Sequence, residues 1–318
     1  MLGFRRFAWT VLAYNLAVIL WGAVVRATGS GAGCGEHWPL CNGEVLPRTD
    51  RLETAIEFTH RAMSGLALLL VFALVIWAIR TLPGGHAGRR AAVASGVLIV
   101  TEALVGAGLV LFGWVAGDTS IMRGWVVAIH LANTFLLLAA LALAVAFAER
   151  PEGFTLGGRG PIVAAFGLGF ATLIVTGATG AIAALGDTLY PAARFSEGLR
   201  QELASGAPPL LRLRAIHPFA AVASAIVLVG CARAALRARP QGRVRTLAFG
   251  LLALVALQLV AGAANLALLA PVWLQLLHLA LADLTWIALI LLSAELLAPG
   301  ERAAGPELPV GGAAVRLP

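Results

Sequence analysis

A chain of 318 residues that is 60% hydrophobic and only 12% charged, with a mean hydropathy of +0.89, is not a soluble globular domain, in which roughly a quarter of residues are charged. Its net charge of +7 comes from 23 basic residues, all arginine, spread through short loops between apolar runs rather than gathered in a patch, and this excludes a nucleic-acid partner. The runs are rich in Ala and Leu and show no two-residue alternation, which excludes a membrane β-barrel and leaves a helical protein of the lipid bilayer.

Eight runs are long enough to span: 7–25, 62–80, 91–113, 125–147, 161–185, 216–236, 246–270 and 275–297. Arg5 and Arg6 precede the first, which is too long for the apolar core of a signal peptide and reads as a retained helix. A polar outer loop, 26–60, carries Cys34 and Cys41, and an oxidising face would permit a disulfide there, structural or redox-active. His37 in the same loop reads as solvated. The second run leads to an inner loop with Arg80, Arg89, Arg90 and His86, also read as solvated, and no acid. The third run contains Glu102; a short outer loop with Gly117, Asp118 and Arg123 precedes the fourth. The connector 148–160 has linker composition. After the fifth run comes a second long outer loop, 186–215. The sixth holds Cys231, a packing residue, and is followed by Arg233, Arg237, Arg239, Arg243 and Arg245 without an acid. The eighth holds Asp283, read as polar packing. The positive-inside rule then places both termini in the cytoplasm.

The second half echoes the first. Ala178-Thr179-Gly180 matches Ala27-Thr28-Gly29, both read as helix ends; Leu257–Gly262 matches Thr101–Gly106; Leu277-His278-Leu279-Ala280 matches Ile129-His130-Leu131-Ala132. The expected fold is an all-α integral membrane protein of eight transmembrane helices, built by internal duplication as two similar four-helix bundles, 1–150 and 151–318.

On this topology His60, His130, His217 and His278 all lie near the outer starts of the even-numbered helices. Each half thus offers two imidazoles from two helices at similar depth, an arrangement that suits the opposite axial positions of a haem iron. Zinc fits less well, because its sites favour tight clusters or Cys partners, and no non-haem metal is expected. The halves differ three residues before their first histidine: Glu57 in one, Arg214 in the other. Glu57 could move protons, stabilise positive charge, or simply be an acid favoured at a helix start. Arg214, and Arg26 in the first half, could pair with haem propionates or anchor at the interface.

Gly22-Ala23-Val24-Val25-Arg26-Ala27-Thr28-Gly29-Ser30-Gly31, then Cys34-Gly35-Glu36-His37-Trp38-Pro39-Leu40-Cys41-Asn42-Gly43, resembles the first outer loop of haem A synthase. So do Glu57-Phe58-Thr59-His60-Arg61 and His130-Leu131-Ala132-Asn133-Thr134, and the likeness runs over about 290 residues from the first helix to the eighth. His37 departs from the family pattern, which has an acid there. The paired cysteines look like the bacterial branch that carries a disulfide in this loop. The resemblance implies an oxidoreductase of the bacterial cell membrane that converts the C8 methyl of haem O to the formyl of haem A by successive hydroxylations. It implies that His60 and His130 hold the substrate haem, that Glu57 is catalytic, and that His217 and His278 bind a resident haem b relaying electrons. It further implies haem sites toward the outer face, a membrane electron donor, and haem O synthase and the terminal oxidase assembly as neighbours. A non-catalytic dihaem cytochrome and a small-molecule transporter are the rival readings; the first gives no reason for Glu57 and Arg214 to differ, the second leaves the histidine register unexplained.

Overall fold

In hydrocarbon every backbone N–H and C=O must be satisfied within its own segment, so apolar runs of this length have the helix as their only open-chain solution. The computed structural model describes residues 2–299 and bears this out. The first half contains α1 (Leu2–Ala27), α2 (Leu52–Thr81), α3 (Ala87–Leu111) and α4 (Ile121–Ala146). The second contains α5 (Gly160–Leu189), the short α6 (Phe195–Leu203) and α7 (Pro209–Arg214), then α8 (His217–Ala238), α9 (Gly242–Ala267) and α10 (Val272–Leu297). Eight helices, with α7 and α8 counted as one, are long and apolar enough to cross a membrane. The expected C-terminal boundary at 318 and the C-terminus itself lie outside the described residues.

Local chemistry sets the helix ends. Ser120 accepts a hydrogen bond from the Arg123 N–H at the start of α4, and Pro stands in the first turn of α5, α7 and α8, where a missing N–H costs nothing. His86 caps α3: its Nδ1 accepts from the Gly88 N–H at 3.1 Å, and the residue is 4% exposed. The expectation of a solvated His86 is therefore corrected; the loop folds over it to satisfy an orphan donor. Burial holds its imidazole below the usual histidine range.

Two helices run further than their apolar runs. α2 begins at Leu52 because its polar first turns are covered: Thr54 and Glu57 are buried beneath the loop 28–51. α5 continues past Gly180 to Leu189, so Ala178-Thr179-Gly180 is not the counterpart of the α1 end at Ala27. The matching glycine of α1 is Gly22, as the site itself makes plain.

Successive spans alternate in direction. Loops 28–51 and 190–208 share one end of the bundle, called here the loop end, and the connector 147–159 lies at the other. There Arg5 pairs with Glu149 at 3.5 Å, and Glu295 at the end of α10 receives Arg150 at 3.1 Å. The halves meet along α4 and α10, the most buried spans. Phe135 stacks on Trp286 with centroids 4.9 Å apart, and the indole N–H donates to the Phe135 carbonyl at 2.6 Å. The opposite faces of the outer helices are apolar and open, with Leu69, Val97, Ile226 and Val260 each more than 60% exposed, as lipid-facing residues are.

Candidate functional site

Each of the four histidines packs against a glycine on the helix before its own. A Cβ built on Gly22 would stand 3.0 Å from the His60 ring, on Gly180 2.9 Å from His217, and on Gly262 3.2 Å from His278. At Gly106 the distance to His130 is 3.8 Å. The absent side chains give the imidazoles room against helix backbone. The pattern repeats in order, α1 to α2 and α3 to α4, then α5 to α8 and α9 to α10, and is compatible with the expected duplication. His60, His130 and His278 lie about two turns into α2, α4 and α10, and His217 opens α8 directly behind the short α7.

The structure brings the histidines together two by two. His217 and His278 face each other with centroids 6.3 Å apart and ring planes at 85°. His60 and His130 take the corresponding places in the first half, against Gly22 and Gly106. Among the described residues, the Nδ1 atoms of His60, His130 and His278 are buried without a hydrogen bond of regular geometry, that of His130 having only the Glu102 carboxylate at 3.2 Å; a ring nitrogen tolerates this poorly unless a further group completes the site. Paired imidazoles on facing helices, clear of other side chains on their glycine side, fit a planar macrocycle with axial nitrogen ligands.

The polar residues near these pairs are more engaged than their sequence positions suggest. Glu57 is 3% exposed. One carboxylate oxygen accepts the Cys34 N–H at 2.7 Å; the other accepts Arg61 at 2.5 and 3.1 Å. Arg61 also donates to the carbonyls of His37 and Leu40, each at 2.5 Å. Cys34 and Cys41 form a disulfide, and Gly33 backs onto α2 so closely that a Cβ would come within 2.4 Å of Glu53. Glu57 and Arg61 thus clasp the disulfide loop to α2. His37 is exposed, as expected.

Arg214 performs the mirror task in the second half, with the sign reversed. It pairs with Glu202 of α6 at 2.6 Å and Asp187 of α5 at 3.0 Å. Its guanidinium thus ties α6 and α5 to the start of α8. Arg26 departs from its α1 surroundings altogether. It donates to the Ala184 carbonyl at 2.7 Å and Thr188 at 2.8 Å on α5, and to Gln275 at 2.8 Å on α10. It therefore belongs to the junction with the second half, one turn from His278, and not to the first-half pocket where the sequence put it.

Glu102, visible in the sequence only as an acid within the third run, has its Oε1 3.2 Å from Nδ1 of His130. Asn133 donates to its other oxygen at 2.5 Å, and the Thr134 hydroxyl donates to Oε1. The clue in the sequence was the match of Thr101–Gly106 with Leu257–Gly262, which aligns Glu102 with Gln258; Gln258 Nε2 lies 3.4 Å from His278 Nε2. Asp283 is fully buried with both oxygens unpartnered. Cys231 packs as expected, its thiol donating to the Ala165 carbonyl at 3.2 Å.

Comparison with known proteins agrees with this geometry. Two Thermus thermophilus proteins named protoheme IX farnesyltransferase are 48% identical over 309 residues, covering 97% of this chain and 50% of their own. The chain thus spans about half the length of these relatives. Proteins named heme A synthase are similar over shorter stretches: 39% over 175 residues in Halalkalibacterium halodurans, 54% of this chain and 58% of the relative, and 46% over 98 residues in Alkalihalophilus pseudofirmus, 31% of this chain and 33% of the relative. The sequence pattern of COX15-CtaA, described as cytochrome oxidase assembly protein, matches residues 5–290, and with eight spans and four matched histidines beneath it the chain belongs to that family.

Proposed function

We propose that the chain is a haem A synthase, oxidising the C8 methyl of haem O to a formyl group by successive hydroxylations. The observation that carries this reading is the fourfold glycine–histidine packing, which sets two imidazole pairs at one depth in two halves. Residues 1–150 form the substrate half, with His60 and His130 as ligands of the bound haem O. Residues 151–318 form the second half, where His217 and His278 hold a resident haem b. When bound, haem b supplies an electron-transfer centre.

The chain's own residues hold the substrate and set the charge around it. Glu57 is fixed on both oxygens, by Arg61 and by the Cys34 N–H, so its carboxylate keeps one position. That rigidity favours stabilising positive charge at the reacting methyl over swinging to carry protons. Arg26, which reaches Ala184 of α5 and Gln275 of α10, and Arg214 would serve as propionate contacts. The loop end faces outward in the bacterial cell membrane and both termini face the cytoplasm, because the arginine-rich loops at the other end carry no acid in the 80–90 and 233–245 segments. The name and double length of the Thermus relatives support a position beside the enzyme that farnesylates haem. A membrane electron donor and the terminal oxidase assembly complete the set of partners.

Mass spectrometry of haem extracted from the chain, purified after co-expression with haem O synthase, tests the proposal. Haem b together with haem O, its hydroxylated form or haem A supports it. Haem b alone, where haem O is abundant, overturns it in favour of an electron-transfer cytochrome. Glu57→Gln is expected to keep bound haem and lose conversion; normal haem A production by that variant would remove Glu57 from the reaction.

A further inference from the structure

The two halves place a similar side chain beside the second histidine of each pair. Glu102 and Gln258 each stand four residues before the glycine that receives the ring, but they meet different ring nitrogens: Glu102 lies at Nδ1 of His130, Gln258 at Nε2 of His278. The side chains are nearly identical in shape; one is an acid, the other its neutral amide. Their supports differ as well. Asn133 and Thr134 hold Glu102, and Asn133 is itself fixed by the Thr101 hydroxyl at 2.7 Å and the Leu98 carbonyl at 3.0 Å. Counted from His278 as Asn133 and Thr134 are from His130, the second half has Leu281 and Ala282, which can form no such bonds. The first half therefore has a built carboxylate seat behind its ligand and the second does not.

A carboxylate on the outer nitrogen of a ligating imidazole fixes which nitrogen faces the metal and makes the ring a stronger donor, which favours the oxidised iron. We propose that Glu102 is the positioning residue of the first-half pocket: it holds His130 at Nδ1, presents Nε2 to the haem iron, and lowers the reduction potential of that haem relative to the one beside Gln258. This rests on the reading of the two histidine pairs as haem sites. Glu102 and Gln258 thus add a second difference between the pockets to that of Glu57 and Arg214.

The test is a spectroelectrochemical titration of the purified, haem-loaded chain, which resolves one reduction step per haem. E102Q keeps both haems and raises one step by about 59 mV, a tenfold change in a one-electron equilibrium, leaving the other in place. E102D, whose shorter carboxylate keeps the charge but stops short of Nδ1, raises the same step and leaves the other in place. A residue acting on folding alone would not move one potential of the two. An unmoved pair of potentials in E102Q overturns the proposal. Should E102Q fail to accumulate, E102D carries the test, and a pair of potentials that stays put there is equally fatal. A wild-type chain that binds no haem overturns the haem reading itself, so the two failures are distinct.

Discussion

A glycine facing an imidazole is a small feature with a measurable consequence. G180A would place its methyl 2.9 Å from the His217 ring, closer than carbon atoms pack, so the ring must tilt. G106A would meet His130 at 3.8 Å, an ordinary contact. The expected outcome is a several-fold loss of haem per chain in G180A and little loss in G106A, read by haem-to-protein ratio. Alanine gains about 0.5–1 kcal/mol over glycine within a helix, so instability of the helix is not the cause of the loss. Equal haem content in both variants would mean that the glycines are not ligand seats. At this scale the sequence disclosed the histidines because ionisable groups stand out against apolar runs. It concealed the neighbours. The contact of Glu102 with His130 crosses between helices over 28 positions, and no periodicity links them. Arg26 was harder still, since its partners lie in the other half.

The helices were legible from hydropathy alone, and their ends were not. α2 extends outward because a loop covers its polar turns, a tertiary effect that composition does not register. The α3 start has a comparable origin in His86. Neutral Nδ1 accepts the Gly88 N–H, and burial holds the ring below its ordinary value of 6.5. Protonation removes the acceptor, and the unfolded chain takes up the proton more readily. The cap is therefore fully effective above about pH 6.5 and is lost as pH falls through the lower folded-state value. H86N retains a cap acceptor that does not titrate. The wild-type chain in detergent should lose thermal stability over that acidic interval by more than H86N does. Parallel melting curves for the two proteins at pH 7.5 and below 6 would remove this role from His86.

At the scale of the whole molecule, eight spans and a repeated element order were readable from the chain, whereas the seam between the halves was not. Phe135 and Trp286 look like any apolar residues in a run; only the packed structure makes them a stacked pair at the centre. The arrangement predicts a simple labelling result. G84C, between α2 and α3, should react with a membrane-impermeant thiol reagent only in inverted vesicles; T119C, before α4, serves for the other face and should react in intact cells, a cysteine in the disulfide loop being avoided because it would disturb Cys34 and Cys41. Labelling of both from one side would refute the alternating topology.

The glycine seats also say something about interchange between relatives. Where ring meets backbone, at Gly22, Gly180 and Gly262, the position of the histidine is set by the distance between two whole helices. A chimera that exchanges α1 or α5 alone imports a new separation along with its sequence, and the register of the seat must be carried across with it. Exchanging helices as pairs, α1 with α2 or α9 with α10, leaves the gauge intact, so the natural unit of transplantation in this molecule is the helix pair and not the helix.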